Sequence, residues 1–512
     1  MIFQLDHLSH LINGLLNHIE YKYKEKYSFI FQGVLSLYSD FIREHSDYKI
    51  SFDCFIKETA SINEKCTNRK FLGKYYTPRD ICKFMFDNLL EHFNKNNDEL
   101  KIIDPTCGNS EFLLEFIDII FQKNEVNVDK VINNIYGNDI NPHAITISKI
   151  RIYFLILSYT IEKDINLDNV VCLLNNNFTI KDALSLPDKH VCIYDIVIGN
   201  PPYVESKESK YGNLYADILE KSTYLLNDNG LLAFIIPISY ISTKRMQNIR
   251  SFIKKYSKWQ KLYNFSDRPA SIFSSVHQKL SILILKKKYD SEEENVIYSS
   301  SYNYWYKKER TELFKNISLI DVEPSDKCIP KLGSSFEKKI FNKLLSNFQH
   351  DSLYNALINK GDNVLPIYLN MRATFWIKVF FDYSRSNEYK CFSVDKLAHS
   401  QIYCFLNSSL FFWFWVVVSD GWHITIKDLD MIRFVLDFDD KWHKLAKNLS
   451  SKLEETKVFV NTKQIDYIYQ HKECKNEIDM IDNLLGQSYN LTTEEIDFIK
   501  NFALKYRMSV GK

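Results

Sequence analysis

The sequence predicts an α/β protein built on a doubly wound, mostly parallel sheet, and three observations carry that expectation. Between about residues 70 and 290, short apolar runs alternate with longer stretches of helical spacing, the pattern of a parallel sheet covered on both faces. Three of these segments end on an acidic residue, Asp104, Asp139 and Asp182, at the place where doubly wound sheets bind ligands. A fourth ends on Pro201-Pro202, which stops a strand rigidly because each proline lacks an N–H and fixes φ.

The strands are expected at residues 101–104, 134–138, 194–199, 231–236, 261–265 and 280–285, with helices over 111–122, 142–160, 214–226 and 243–256. Residues 1–70 show helical spacing and form a helical N-terminal region. The charged run at 286–294 reads as a boundary, placing the α/β domain at 71–290. Residues 291–512 mix short strands and helices into an α+β part with a helical tail. A chain of 512 residues exceeds one core, so several domains are expected.

Net charge is +1, so the whole-molecule field selects no partner, and a nucleic-acid enzyme would need a local basic surface. The ten cysteines are scattered without zinc spacing, which predicts free thiols and no metal site. The N-terminus lacks a signal pattern. The longest apolar run, 410–418, falls short of the roughly 20 residues needed to span a bilayer. A soluble cytoplasmic protein is expected.

The run Asp104-Pro105-Thr106-Cys107-Gly108 follows a strand and precedes a helix, so a ligand can approach backbone and helix N–H groups there. Asp139 ends the next strand, where an acid can accept hydrogen bonds from ribose hydroxyls; it could equally cap the helix that Pro142 begins. Asp182 could accept from an adenine amino group or serve a turn. Asn200-Pro201-Pro202-Tyr203 presents a carboxamide, a carbonyl without a ladder partner and an aromatic ring as one stiff group. An aryl amine is a poor nucleophile because its lone pair is delocalised. Two acceptors, Asn200 Oδ1 and the Pro201 carbonyl, would hold its hydrogens and release that lone pair, with Tyr203 stacking on the base.

Taken in order, these segments resemble the TaqI-like N6-adenine DNA methyltransferases of restriction–modification systems, over roughly residues 73–288. The resemblance implies an S-adenosyl-L-methionine methyltransferase fold with a C-terminal target-recognition domain. It implies cofactor contacts from Thr77, within Gly73-Lys74-Tyr75-Tyr76-Thr77-Pro78, and from Asp104, Pro105, Thr106, Cys107, Gly108, Asp139, Ile140, Asp182, Ala183 and Asn200. The catalytic loop is Asn200 to Tyr203. Phe273, in Ile272-Phe273-Ser274-Ser275-Val276, would cover the second face of a flipped adenine. One departure stands out: Ser110 occupies a position where the family usually has glycine.

Double-stranded DNA is the expected partner, with the chain acting as a monomer or beside a restriction or defence-system subunit. Basic residues crowd 241–290, among them Lys244, Arg245 and Arg268, and could neutralise phosphates. Arg372, Trp422, His423 and Lys427 are the candidates for DNA contact in the C-terminal half. Three alternatives stay open: a protein glutamine methyltransferase, an RNA adenine methyltransferase, and a catalytically silent DNA-binding subunit of the same fold.

Overall fold

The computed structural model describes residues 2–60, 62, 77–94, 96–123, 126–187, 191–273, 277–289, 294–346, 350–358, 363–382, 386–437, 439–460 and 466–509. Its frame is a sheet of nine strands among these residues: β1 (Ile102–Asp104), β2 (Ile135–Asp139), β3 (Phe178–Ile180), β4 (Tyr194–Gly199), β5 (Leu226–Pro237), β6 (Ser257–Phe265), β7 (Leu280–Lys287), β8 (Val296–Asn303) and β9 (Ile320–Asp321). They lie in the order β3-β2-β1-β4-β5-β7-β6-β8-β9. The first five are mutually parallel, and β7 runs antiparallel between β5 and β6. The chain winds outward from β1 to β3 and then returns to β4 on the other side. That reversal opens a crevice at the carboxyl ends of β1 and β4, where Asp104 and Asn200 stand.

Alternation along the strands divides the core in two. On β4 and β5, Ile196, Ile198, Leu231, Ala233 and Ile235 join one cluster. Val197, Leu232, Phe234 and Ile236 join the other. The N-terminal helices Ile2–Lys22, Lys24–Leu37 and Phe52–Ala60 feed the first cluster through Leu8, Ile12, Leu15, Val34 and Phe55. The C-terminal half feeds the second through Phe405, Trp413, Trp415 and Leu449. The expected helical N-terminal region is therefore an outer layer, packed on the helices Pro142–Thr160 and Leu167–Asn177 that cover one face of the sheet.

The charged run at 286–294 does not end the sheet. β8 lies beyond it and pairs in parallel with β6, and β9 pairs with β8. Charge in a chain marks exposure to water, and a connection between two strands is exposed just as a linker is. Further on, β10 (Val364–Asn370), β11 (Val379–Phe380) and β12 (Tyr389–Asp395) form a small antiparallel sheet in the order β11-β10-β12. The expected helical tail is present as Lys441–Thr456, Lys475–Ser488 and Thr493–Asn501. Every residue of the apolar helix Ser409–Val418 is buried. Among the described residues no single helix is long and apolar enough to cross a membrane; this one passes such a test only jointly with His399–Asn407, at a bend of 61°.

Candidate active site

A cavity of about 250 Å³ opens at the carboxyl ends of β1, β2 and β4, lined by Thr77, Asp104 through Asn109, Asp139, Ile140, Asp182, Ala183, Asn200 and Pro202 among others. Each cofactor residue expected from the sequence lies on its wall. Asn109, Glu111, Phe112, Ala144, Leu184, Leu214 and Ile218 also line it; they were not among the expected cofactor contacts and come from the helices Glu111–Phe121, Pro142–Thr160 and Leu214–Leu225 and from the loops beside them. Residues 73–76 and 274–276 fall outside the described residues.

The loop after β1 is held from several sides. Asp104 Oδ1 accepts from the Thr106 N–H (3.0 Å), Asp139 Oδ2 from the Gly108 N–H (3.0 Å), and the Gly108 carbonyl accepts from Ser148 Oγ (2.7 Å). Burial pushes the Asp104 carboxyl well above the usual range, opposed by the Thr106 N–H and reinforced by the charge of Asp139. A Cβ on Gly199 would stand 2.9 Å from Asp104 Oδ1. The strand leading to Asn200 can approach that carboxyl only because it carries glycine there. Burial also pushes up the Cys107 thiol, so Cys107 packs as an inert wall.

Ser110 lies at φ 63°, in the left-handed region, and its fully buried hydroxyl finds no oxygen or nitrogen partner. A side chain in that region costs about 1–2 kcal/mol, and glycine returns roughly 0.5–1 kcal/mol of it as chain entropy. Ser110→Gly is therefore expected to stabilise the protein by about 1 kcal/mol, read as a higher urea midpoint, without loss of cofactor affinity. A lower midpoint would show that the hydroxyl has a role of its own.

The two readings of Asp139 separate in the structure. The helix Pro142–Thr160 is capped by Asn141, whose side chain accepts from the His143 N–H. Asp139 instead ties its own loop to Gly108 and to the Asn141 N–H (2.8 Å) while facing the cavity. Ile140 beside it is 62 % exposed, an apolar surface at the cavity mouth. Asp182 has both attributes, since its Oδ1 accepts from the Leu184 N–H (2.9 Å) and the residue borders the cavity.

Beyond β4 the chain turns through Asn200-Pro201-Pro202-Tyr203. Asn200 Nδ2 donates to Thr77 Oγ1 (3.3 Å), and Asn200 Oδ1 accepts from the Tyr203 hydroxyl. That hydroxyl has a second acceptor in the Ile235 carbonyl at 3.1 Å. One hydroxyl proton serves one of them at a time. Its transfer to Ile235 leaves Asn200 Oδ1 open to another donor. Among the described residues the Pro201 carbonyl accepts no hydrogen bond. Asn200 and Pro202 line the cavity; Pro201 and Tyr203 are not among its lining residues.

Two features were not foreseen. Arg151, 1 % exposed, donates to the Asn109 carbonyl and to Glu111 on the cofactor side. It donates also to Thr59 Oγ1 (3.0 Å) and the Ile56 carbonyl (3.2 Å) in the N-terminal helix. An arginine within an apolar helical stretch was the available signal. Second, Arg79 pairs with Glu115 and Asp118, pinning the helix after Thr77 onto the helix after Ser110.

Phe273 requires correction. It is 2 % exposed within the core cluster and does not line the cavity. Lys427 is corrected likewise: its ammonium donates to the Ser242 carbonyl (2.7 Å) and the Val418 carbonyl (2.9 Å) and pairs with Asp428 (3.0 Å). It ties the two halves together. The basic stretch 241–290 does not form one surface either. Arg250 is buried on the carbonyls of Tyr240, Thr243 and Asp326, and Lys287 on that of Leu226. Lys261 faces Glu91 and His92. Lys244 and Arg245 are exposed, and Arg245 pairs with Glu205, just beyond Tyr203 in the chain.

The remaining C-terminal candidates converge. Trp422 packs under Arg268 (5.1 Å) and Lys279 (4.7 Å), and Arg372 bridges to His423. Arg372 also pairs with Glu388 and His423 with Asp420. Pro237 and Phe265 both register with Leu280, so Arg268 and Lys279 stand at the same sheet edge as the carboxyl end of β4. The Trp422 loop thus flanks the crevice that holds Asn200.

Residues 133–273 match the family described as Eco57I restriction-modification methylase. The Type II methyltransferase M.VspI of Vibrio sp. (strain 343) is 26% identical over 203 residues, which cover 37% of this chain and 42% of that protein. The Type II methyltransferase M.HincII of Haemophilus influenzae is 26% identical over 235 residues, covering 42% and 37% respectively. The chain thus spans less than half the length of these curated relatives. Among solved structures, the Type IIL restriction-modification enzyme MmeI in complex with DNA aligns with a TM-score of 0.49 and 12% identity, over 89% of this chain and 81% of that one. The matched family segment contains Asp139, Asp182 and the loop Asn200 to Tyr203. The resemblance to restriction–modification methyltransferases is borne out over this segment, and the expected α/β class with a doubly wound, mostly parallel sheet is the one observed.

Proposed function

We propose that the chain methylates the N6 amine of an adenine flipped out of duplex DNA, using S-adenosyl-L-methionine. The observation that carries this reading is the placement of Asn200 and Pro202 on the wall of the cavity that also holds Asp104, Asp139 and Asp182. The cavity chemistry fits the cofactor. Thr106 Oγ1 is buried without a partner, a polar atom that a ligand would satisfy. Ile140 offers an apolar face, and Asp139 and Asp182 offer acceptors.

When bound, the cofactor supplies an electrophilic methyl group on a sulfonium. The chain's own part is to prepare the amine. Asn200 Oδ1, relieved of the Tyr203 hydroxyl, and the Pro201 carbonyl accept its two N–H bonds, which localises the lone pair on nitrogen. Prolines on both sides of that carbonyl make the acceptor pair rigid, so little reorganisation is needed when charge develops. Extruding the base costs a few kcal/mol, and an aromatic face contributes roughly 1–3 kcal/mol in return. Tyr203 is the candidate for that face.

Residues 71–290 are read as the catalytic domain, with β8 and β9 completing its sheet, and the C-terminal half as the target-recognition part. Arg268, Arg372, Trp422 and His423 are its candidate DNA contacts, with Lys244 and Arg245 beside the catalytic loop. Assembly with a restriction or defence-system subunit is part of the same proposal. Incubation with methyl-labelled cofactor and, separately, duplex DNA, RNA of the same sequence and total cell protein tests it. The expected outcome is label in DNA, released on digestion as N6-methyladenine. Label confined to glutamine amides or to RNA would overturn the DNA reading and leave the amino-group chemistry.

A further inference from the structure

A second cavity, of about 410 Å³, lies in the C-terminal half between β10, the helix His399–Asn407 and the helix Lys441–Thr456. We propose that it binds a phosphate oxyanion, either a phosphodiester group of a nucleic acid or a free phosphate. Two lysines, Lys396 and Lys447, and two histidines, His399 and His443, line it, with Ser400, Ser450 and Ser451 between them and no carboxylate on the wall among the described residues; burial holds the His399 imidazole below its ordinary value, so the positive charge rests on the two lysines. Of the other lysines of the same helix, Lys441 pairs with Asp439 and Lys452 with Glu455, while Lys444, like Lys447, has no ion pair among the described residues. Among the described residues no ion pair engages Lys396 or Lys447.

The wall is built rather than incidental. His399 is held by the Pro366 carbonyl at Nε2 (3.0 Å) and by stacking on Phe381 at 4.6 Å. His443 Nδ1 lies 3.5 Å from Ser400 Oγ. The helix His399–Asn407 begins at the cavity, so its unpaired first-turn N–H groups and dipole add to the positive field. Two exposed ammonium groups on separate elements, with hydroxyls between them, suit a compact dianion or diester with several acceptor oxygens. A cationic ligand would be repelled by this donor set.

The site is not part of the crevice around Asn200. The strand β10 carries Leu365 at the cavity and Asn370 near Arg372, five residues apart, or roughly 17 Å at strand spacing. If the ligand is a nucleic-acid phosphate, it lies outside the segment that the crevice contacts; only this form of the proposal rests on the function argued above.

The test compares wild type with the Lys396→Ala/Lys447→Ala variant, both of whose positions are exposed, so melting temperature should not change. Inorganic phosphate is titrated calorimetrically, and duplex DNA is titrated by anisotropy over a salt series. The expected result is saturable phosphate binding weakened at least about tenfold in the variant. A fall of about one in the slope of log K against log salt assigns the ligand to a backbone phosphate; an unchanged slope with lost phosphate binding assigns it to free phosphate. Equal behaviour of the two proteins in both titrations overturns the site. Should wild type fail to bind DNA at all, the function proposed above falls, while the phosphate titration still decides this one.

Discussion

Asn200→Ala is expected to lower methyl transfer at least about a thousandfold, the scale on which a preorganised hydrogen-bonding group at a reacting centre acts. Affinity for the cofactor should change no more than severalfold, because the loop after β1 and the acids on β2 and β3 keep their own hydrogen bonds. Single-turnover transfer to DNA measures the first quantity and equilibrium dialysis of labelled cofactor the second. Near-normal transfer would remove Asn200 from the proposed acceptor pair. Loss of cofactor binding in parallel with activity would make it a cofactor ligand first. The pairing of Asn200 with Thr77 and Tyr203 makes lost transfer with retained cofactor binding the expected result, since both partners fix the amide's orientation.

Arg151→Met should produce the largest loss of stability, about 3–5 kcal/mol, the cost of removing one partner from a buried ion pair. The substitution leaves Glu111 beside the cavity without its counter-charge and frees the Asn109 carbonyl, Thr59 and Ile56 at once. Burial already pushes the Glu111 carboxyl up, and Arg151 opposes it, so the variant should take up a proton at Glu111. Urea unfolding reads the loss, and Arg151→Met/Glu111→Gln should regain part of it. Cofactor affinity should fall with stability, because Arg151 joins the cofactor loop to the N-terminal helix Phe52–Ala60. A loss below about 1 kcal/mol, in the range of an exposed pair, would show that the pair is effectively solvated.

Much of the catalytic half was legible before the structure. Strand–helix alternation predicts a parallel sheet because a strand buried on both faces must be apolar and a crossover must be long. Asp104, Asp139, Asp182 and Asn200 are local signals: each closes a strand, and strands of one parallel sheet end along one edge. Their convergence on a single cavity follows from topology alone. The same reasoning fails where a signal has two causes. The charged run at 286–294 marks solvent, and solvent is met by linkers and strand connections alike, so a boundary drawn there cuts β8 and β9 from the sheet they complete. The basic residues of 241–290 follow one another in sequence, but helix and strand periodicities send them to both faces of the sheet and into its core.

By itself, the sequence determined the fold class and the strand-end loops that meet at the cavity, because each is encoded within a few consecutive residues whose backbone chemistry leaves few choices. Only the tertiary structure decided that Ser110 takes a left-handed conformation, that Asn141 rather than Asp139 caps its helix, and that Arg151 ties the N-terminal layer to the cofactor loop. It alone buried Phe273 and turned Lys427 into a tie between the two halves. It alone gathered Lys396 and Lys447 around one cavity. These outcomes depend on which distant groups come within hydrogen-bonding reach, and no local pattern carries that information.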